Sequence, residues 1–203
     1  MRLDNYISEN TIQDYVTLIK RDCKPWLKEI KNCGLFYRGM KDHGVFAKKK
    51  VRTDRIPMNM DYRETELLDN AFKKKFGWKP RTNGLFVTGS SILAMGYTGA
   101  GMAPYTVFPI GNVKYIWSVA AEDLYVDIPK LRTMAKGGVF GKEVDGDIHE
   151  VIVNKYFQDT NLCSAQKKGN EVMVGCKTYY ILDSGWARDE GIKKEEDLKK
   201  LLY

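Results

Sequence analysis

The chain has 203 residues, 43% apolar and 12% aromatic, a globular composition with enough apolar side chain for a single core. Its formal net charge is +7, and the whole basic excess lies in the first half: residues 1–100 hold 19 Lys/Arg against 11 Asp/Glu, and residues 101–203 hold 14 against 15. There is no apolar run of about 18 residues, no signal-peptide pattern after Met1, no C-x-x-C among four scattered cysteines and no histidine pair, so the expectation is a soluble, cytoplasmic protein with reduced thiols, no membrane partner and no metal.

Ile12, Tyr15, Val16 and Ile19 form a helical stripe behind the capping candidates Asn10 and Thr11. Pro25 opens a second helix, which Gly34 ends just before the aromatic strand Leu35-Phe36-Tyr37-Arg38-Gly39. Residues 41–60 keep no period and carry Lys48-Lys49-Lys50, Arg52 and Arg55, which reads as a long basic loop. Asp61 and Glu64 cap a third helix that Gly77 stops, and residues 80–84 make a turn into the strand Leu85-Phe86-Val87-Thr88. After Ser90 come one or two helical turns through Met95 and a glycine loop, Gly96 to Gly101, around Tyr97.

Tyr105 to Ile110 and Val113 to Trp117 are β-branched and aromatic runs joined by Gly111-Asn112, the pattern of a hairpin. Residues 122–136 suggest a helical segment interrupted at Pro129, and 137–146 a loop. Asp147 caps a helix running through Tyr156, a flexible loop spans Ser164 to Asn170, and Glu171 to Leu182 reads as one strand. Asp183 to Gly185 make its turn, and the chain closes on a helix with Leu198, Leu201 and Leu202 on one face. No internal repeat appears. No G-x-G-x-x-G follows a strand and no P-loop is present, which excludes the usual Rossmann and P-loop enzymes.

Three segments carry the chemistry. Arg38 ends one apolar strand, Thr88-Gly89-Ser90 ends a second in hydroxyls, and Glu171 starts a late third. A charge inside so apolar a strand as Leu35 to Tyr37 is costly unless paired, and arginine offers a planar fork of donors that suits a pyrophosphate. A carboxylate such as Glu171 stabilises positive charge that builds on a sugar carbon as a leaving group departs. Each residue singly also has a plain reading: a buried salt bridge for Arg38, a strand running into a turn for Thr88 to Ser90, an edge glutamate for Glu171.

In that order, arginine, hydroxyl-bearing strand end and glutamate, the chain resembles the toxin-like mono-ADP-ribosyltransferases of the arginine, serine-threonine-serine, glutamate type, over about residues 35–182. The resemblance implies an α+β fold with two facing antiparallel β-sheets around an NAD cleft and flanking helices: one domain over 1–203, with a helical preamble at 1–34, a core at 35–182 and a C-terminal helix at 183–203. It implies Glu171 as the catalytic carboxylate, Arg38 as the NAD contact, Ser90 as a brace, and Tyr37, Gly39, Thr88 and Gly89 as further NAD neighbours. Tyr97, with Tyr105 second, would sandwich nicotinamide, and Arg52 and Arg55 would reach the NAD pyrophosphate or a nucleic-acid backbone.

Two positions depart from the family pattern. The strand end reads Thr-Gly-Ser, and Gly169 stands two before Glu171, where the family has the Glu or Gln that activates the acceptor. Gln166, Asn170, the acceptor itself or water would have to serve instead. The implied activity is transfer of ADP-ribose from NAD to a macromolecular acceptor, protein or nucleic acid, as in bacteriophage or toxin effectors acting in a host cytoplasm. Two alternatives stand beside it: an NAD glycohydrolase using water, and a non-catalytic nucleic-acid binding module using the basic first half.

Overall fold

A computed structural model describes residues 11–41, 43–54, 60–124, 126–129, 147–192 and 194–203. It is an α+β protein in which eight strands among the described residues join by hydrogen bonds in one antiparallel sheet. The strands are β1 (Tyr37–Arg38), β2 (Phe46–Lys50), β3 (Leu85–Thr88), β4 (Tyr105–Pro109), β5 (Lys114–Ser118), β6 (Tyr156–Gln158), β7 (Glu171–Gly175) and β8 (Thr178–Asp183). Their order is β2-β8-β4-β1-β3-β7-β5-β6. The centre of this sheet is its thinnest part. β1 meets β3 through the single pair Tyr37↔Thr88, whereas β3 meets β7 through four pairs from Leu85↔Val174 to Thr88↔Glu171.

Helices pack on both sides. On one side α1 (Ile12–Asp22), α2 (Lys24–Ile30), α7 (Leu162–Lys168) and α9 (Glu195–Leu202) share a core with Phe36, Leu85, Val87, Val172 and Val174. On the other, α3 (Tyr62–Phe76) and α6 (Ile148–Val153) pack with Phe86, Ile116 and Met173. The alternation Leu85-Phe86-Val87 divides β3 between the two cores, as the two-residue period of a strand requires. Three further short helices are α4 (Pro80–Asn83), α5 (Ser91–Met95) and α8 (Ser184–Asp189).

Several elements differ from their sequence patterns. The basic segment at 41–60 contains β2, a strand whose lysines can face solvent because it lies at the sheet edge. The runs on either side of Gly111 do not form a hairpin: β4 pairs with β8 and β1, while β5 pairs with β7 and β6, so Gly111-Asn112 carries the chain across the sheet. The segment from Glu171 to Leu182 is two strands, β7 and β8, which break at Cys176-Lys177 and lie in different halves of the sheet. The helix from Asp147 ends at Val153, leaving Tyr156 to β6, and most of the expected flexible loop is helix α7. Asp183 does not close a turn but caps α8, accepting bonds from Gly185 and Trp186 amides. Arg55 and the expected loop at 137–146 lie outside the described residues, as does the end of the 122–136 segment.

The thiols are corrected as well. Cys33 and Cys163 form a disulfide across 130 residues, which wide sequence spacing hid. It ties the end of α2, just before β1, to the start of α7. Cys23 and Cys176 remain free, and burial pushes both thiols up to about 12, so neither is a nucleophilic thiolate at neutral pH.

Candidate active site at the ends of three adjacent strands

Thr88 pairs with Tyr37 on one side and Glu171 on the other, so one row across the sheet joins the arginine strand, the hydroxyl strand and the glutamate strand. The Arg38 guanidinium folds inward over this row, donating from Nη1 to the Phe86 carbonyl at 2.8 Å, while its buried Nε has no partner among the described residues. Burial lowers the Arg38 pKa, and the nearby Glu171 charge works in the opposite direction. Glu171 keeps only 16% of its side chain exposed, and its amide donates to the Glu122 carbonyl at 2.6 Å.

The hydroxyls have local tasks. Thr88 Oγ1 donates to the Gly169 carbonyl at 2.6 Å and accepts from the Ser90 amide at 3.1 Å. Ser90 Oγ is the N-cap of α5, accepting from the Leu93 amide at 3.2 Å. Thr88 thereby fastens the segment leading into Glu171, and Ser90 starts the helix leading to Tyr97.

Both departures from the family pattern have a steric cause. A Cβ on Gly89 would lie 2.1 Å from the Gln166 carbonyl oxygen, so α7 leaves no room for a side chain in the middle of Thr-Gly-Ser. Gly169 has φ +72° as the C-cap of α7, a left-handed conformation, and a Cβ there would lie 3.1 Å from Ser90 Cβ. Gly39 is required in the same way, with a Cβ position 2.1 Å from the Ala94 carbonyl oxygen and 2.6 Å from Tyr97 Cβ. The close approach at Gly39 is therefore to the turn that carries Tyr97.

Tyr97 is 62% exposed, its hydroxyl donates to Asp123 Oδ2 at 3.1 Å, and burial together with the Asp123 and Glu171 charges raises its pKa. It thus lies within electrostatic range of Glu171, with its ring largely open to solvent. Tyr105, the second choice, is fully buried, with its hydroxyl accepting from the His43 amide. Tyr37 is turned to α9, donating to Glu195 Oε2 at 3.0 Å. Arg52 is directed elsewhere: the row through Arg38, Tyr105 and Asp183 reaches β2 at Val45, and Arg52 lies seven residues on, roughly 20 Å along a strand direction, exposed and paired with Asp54 at 3.3 Å.

The two side chains considered in place of the residue at 169 have partners within the protein. Asn170 is 2% exposed and donates to the Ser118 carbonyl, and Gln166 lies against Gly34 and donates to the Leu35 carbonyl at 3.5 Å. A small hollow lined by Pro25, Glu29, Val113, Tyr115 and Asp159 sits toward the Gly175 end of β7, away from Glu171.

One charged neighbour escaped the sequence reading. Arg81, on the short helix α4, donates from Nη1 to Glu171 Oε1 at 3.1 Å with only 5% of its side chain exposed. An arginine between Pro80 and an apolar strand was the available signal, but the segment read as a turn. The site therefore joins Arg38, Gly39, Thr88, Gly89, Ser90, Tyr97 and Glu171, and adds Arg81 and Asp123. Among the described residues no group of three or more potential metal ligands converges.

No protein-family model matches this chain, and neither a curated protein nor a solved structure matches it.

Proposed function

We propose that the protein is a mono-ADP-ribosyltransferase that cleaves the bond between nicotinamide and ribose in NAD and transfers ADP-ribose to a macromolecular acceptor. The observation that carries this reading is the register Tyr37↔Thr88↔Glu171, which sets side by side the three segments selected from sequence for this chemistry. The two sheets of that fold would correspond to the halves β2-β8-β4-β1 and β3-β7-β5-β6, hinged at the one-pair link between β1 and β3.

In this reading Arg38, whose buried Nε has no partner among the described residues, offers donors to the NAD diphosphate. Tyr97 supplies an aromatic face for nicotinamide. Nicotinamide leaves with the electron pair of the glycosidic bond, and Glu171 stabilises the positive charge that grows on the ribose carbon. A nucleophile on the acceptor then bonds to that carbon and loses a proton. Ile92, Leu93, Met95 and Tyr97 are all half-exposed or more on α5 and the turn after it, an apolar rim beside Glu171 that favours a macromolecular acceptor over water.

Hydrolysis of NAD is the second reading, and Gly169 favours it. Its left-handed backbone leaves the family's acceptor-activating position without a side chain. The test is incubation with labelled NAD and cell lysate, following label on protein, on nucleic acid and in free ADP-ribose. Label on a macromolecule is the expected result. Label confined to free ADP-ribose would replace transfer with hydrolysis. Untouched NAD together with salt-dependent nucleic-acid binding would leave the basic binding module.

A further inference from the structure

The candidate site holds a buried ion pair that NAD chemistry does not by itself demand. Arg81 keeps only 5% of its side chain exposed, and three separate contacts fix it. Asp69, itself 1% exposed, accepts from the Arg81 amide at 2.8 Å and from the Thr82 amide and hydroxyl at 2.9 and 2.6 Å, which pins the first turn of α4 to α3. The guanidinium carbon lies 4.7 Å from the centre of the Phe86 ring. Its Nη1 then meets Glu171 Oε1 at 3.1 Å. Burying a guanidinium and a carboxylate costs more than a loose pair returns, so a pair this enclosed needs good geometry to persist.

We propose that Arg81 is a positioning residue that holds the Glu171 carboxylate in place and in its ionised form, acting through that carboxylate and not on NAD. The inference rests on the transferase reading of Glu171. Four side chains from different elements lie within electrostatic range of the carboxylate: Arg81 from α4, in direct contact, and Arg38 from β1, Tyr97 from the turn after α5 and Tyr156 from β6. Of these four, Arg81 places a cationic donor directly on it, at 3.1 Å. Asp69, α4, Arg81 and Glu171 thus form one mechanical line from the α3 core to the reacting carbon.

The experiment compares Arg81→Gln and Arg81→Lys in wild-type and Glu171→Gln backgrounds, reading nicotinamide release, NAD binding and the pH profile. Arg81→Gln should lower turnover about 10- to 100-fold, the usual scale for a group that orients a reacting one, with NAD binding within about twofold and the acid limb of the profile moved to higher pH. Arg81→Lys should recover part of the rate. In the Glu171→Gln background Arg81→Gln should change the residual rate little, because the two losses share one route. A wild-type rate in Arg81→Gln, or an equal fold-loss in both backgrounds, overturns the proposal. If Arg81→Gln does not fold, Arg81→Lys carries the test, and an unshifted acid limb with full rate overturns it.

Absence of nicotinamide release from wild type would count against the transferase reading instead. The Arg81 claim would then be read from NMR titration of the Glu171 carboxyl. A midpoint higher in Arg81→Lys or Arg81→Gln supports the pairing, and an unchanged midpoint overturns it.

Discussion

At the ends of β1, β3 and β7 two arginines fold inward around Glu171, whereas along β2 the chain holds Lys48, Lys49 and Lys50 at the sheet edge. The lysines give up little hydration: Lys48 and Lys50 are exposed, Lys48 rests near the Tyr180 ring at 5.9 Å, and Lys49 touches His43 at 3.1 Å. Arg81, with 5% of its side chain exposed, gives up nearly all of its own, and Arg38 is partly buried. Desolvation makes the inward cations dependent on exact partners, so their geometry carries information about a site, while the outward ones answer to solubility and edge protection. Net charge, which counts both equally, locates neither.

The contrast is most strongly tested by Glu171→Gln, which should lower NAD turnover about 10²–10³-fold, the scale of a lost electrostatic stabiliser, with the far-ultraviolet circular dichroism of the wild type. Next comes the tie behind the site. Reduction, or Cys33→Ser, should cost about 2–4 kcal/mol of stability for a closure of this kind, read as a lower melting temperature, and should loosen α7 more than β2 in hydrogen exchange. Gly89→Ala forces a methyl against the Gln166 backbone and should destabilise by about 1–3 kcal/mol in denaturant unfolding.

The edge should respond weakly by every one of these measures. Replacing Lys48, Lys49 and Lys50 by Ser should leave stability within about 0.5 kcal/mol per residue and NAD turnover unchanged, while reducing the salt dependence of any nucleic-acid binding. The smallest effect concerns pH. Asp22 is held down to about 2 by bonds from Arg21 and then Tyr180, so the stability it adds is complete above about 3.8 and is lost as pH falls through about 2. Tyr180→Phe, which removes the 2.7 Å bond to Asp22, should flatten that part of the acid unfolding curve.

The amphipathic helices α1, α3 and α9 were legible because apolar spacing and caps agree, as at Asp61, whose carboxylate accepts from the Arg63 and Glu64 amides. The three segments of the candidate site could be singled out because a charge or hydroxyl interrupts an apolar strand, and the sheet register sets them side by side. β2 was not, since an edge strand with one open face tolerates a lysine run that resembles a loop. The split of residues 171–182 and the false hairpin at Gly111 were hidden for another reason: strand pairing is decided by distant partners, and local alternation reads the same either way. Arg81 and the Cys33–Cys163 bridge depend on contacts across 90 and 130 residues, which no local pattern encodes.

The most direct test of the account is nicotinamide release from NAD by purified wild type and Glu171→Gln, measured side by side with and without lysate. The account predicts release by wild type and a loss of about two orders of magnitude or more in the variant. Equal release by both, or none by wild type under either condition, would contradict the assignment of Glu171 as the catalytic carboxylate.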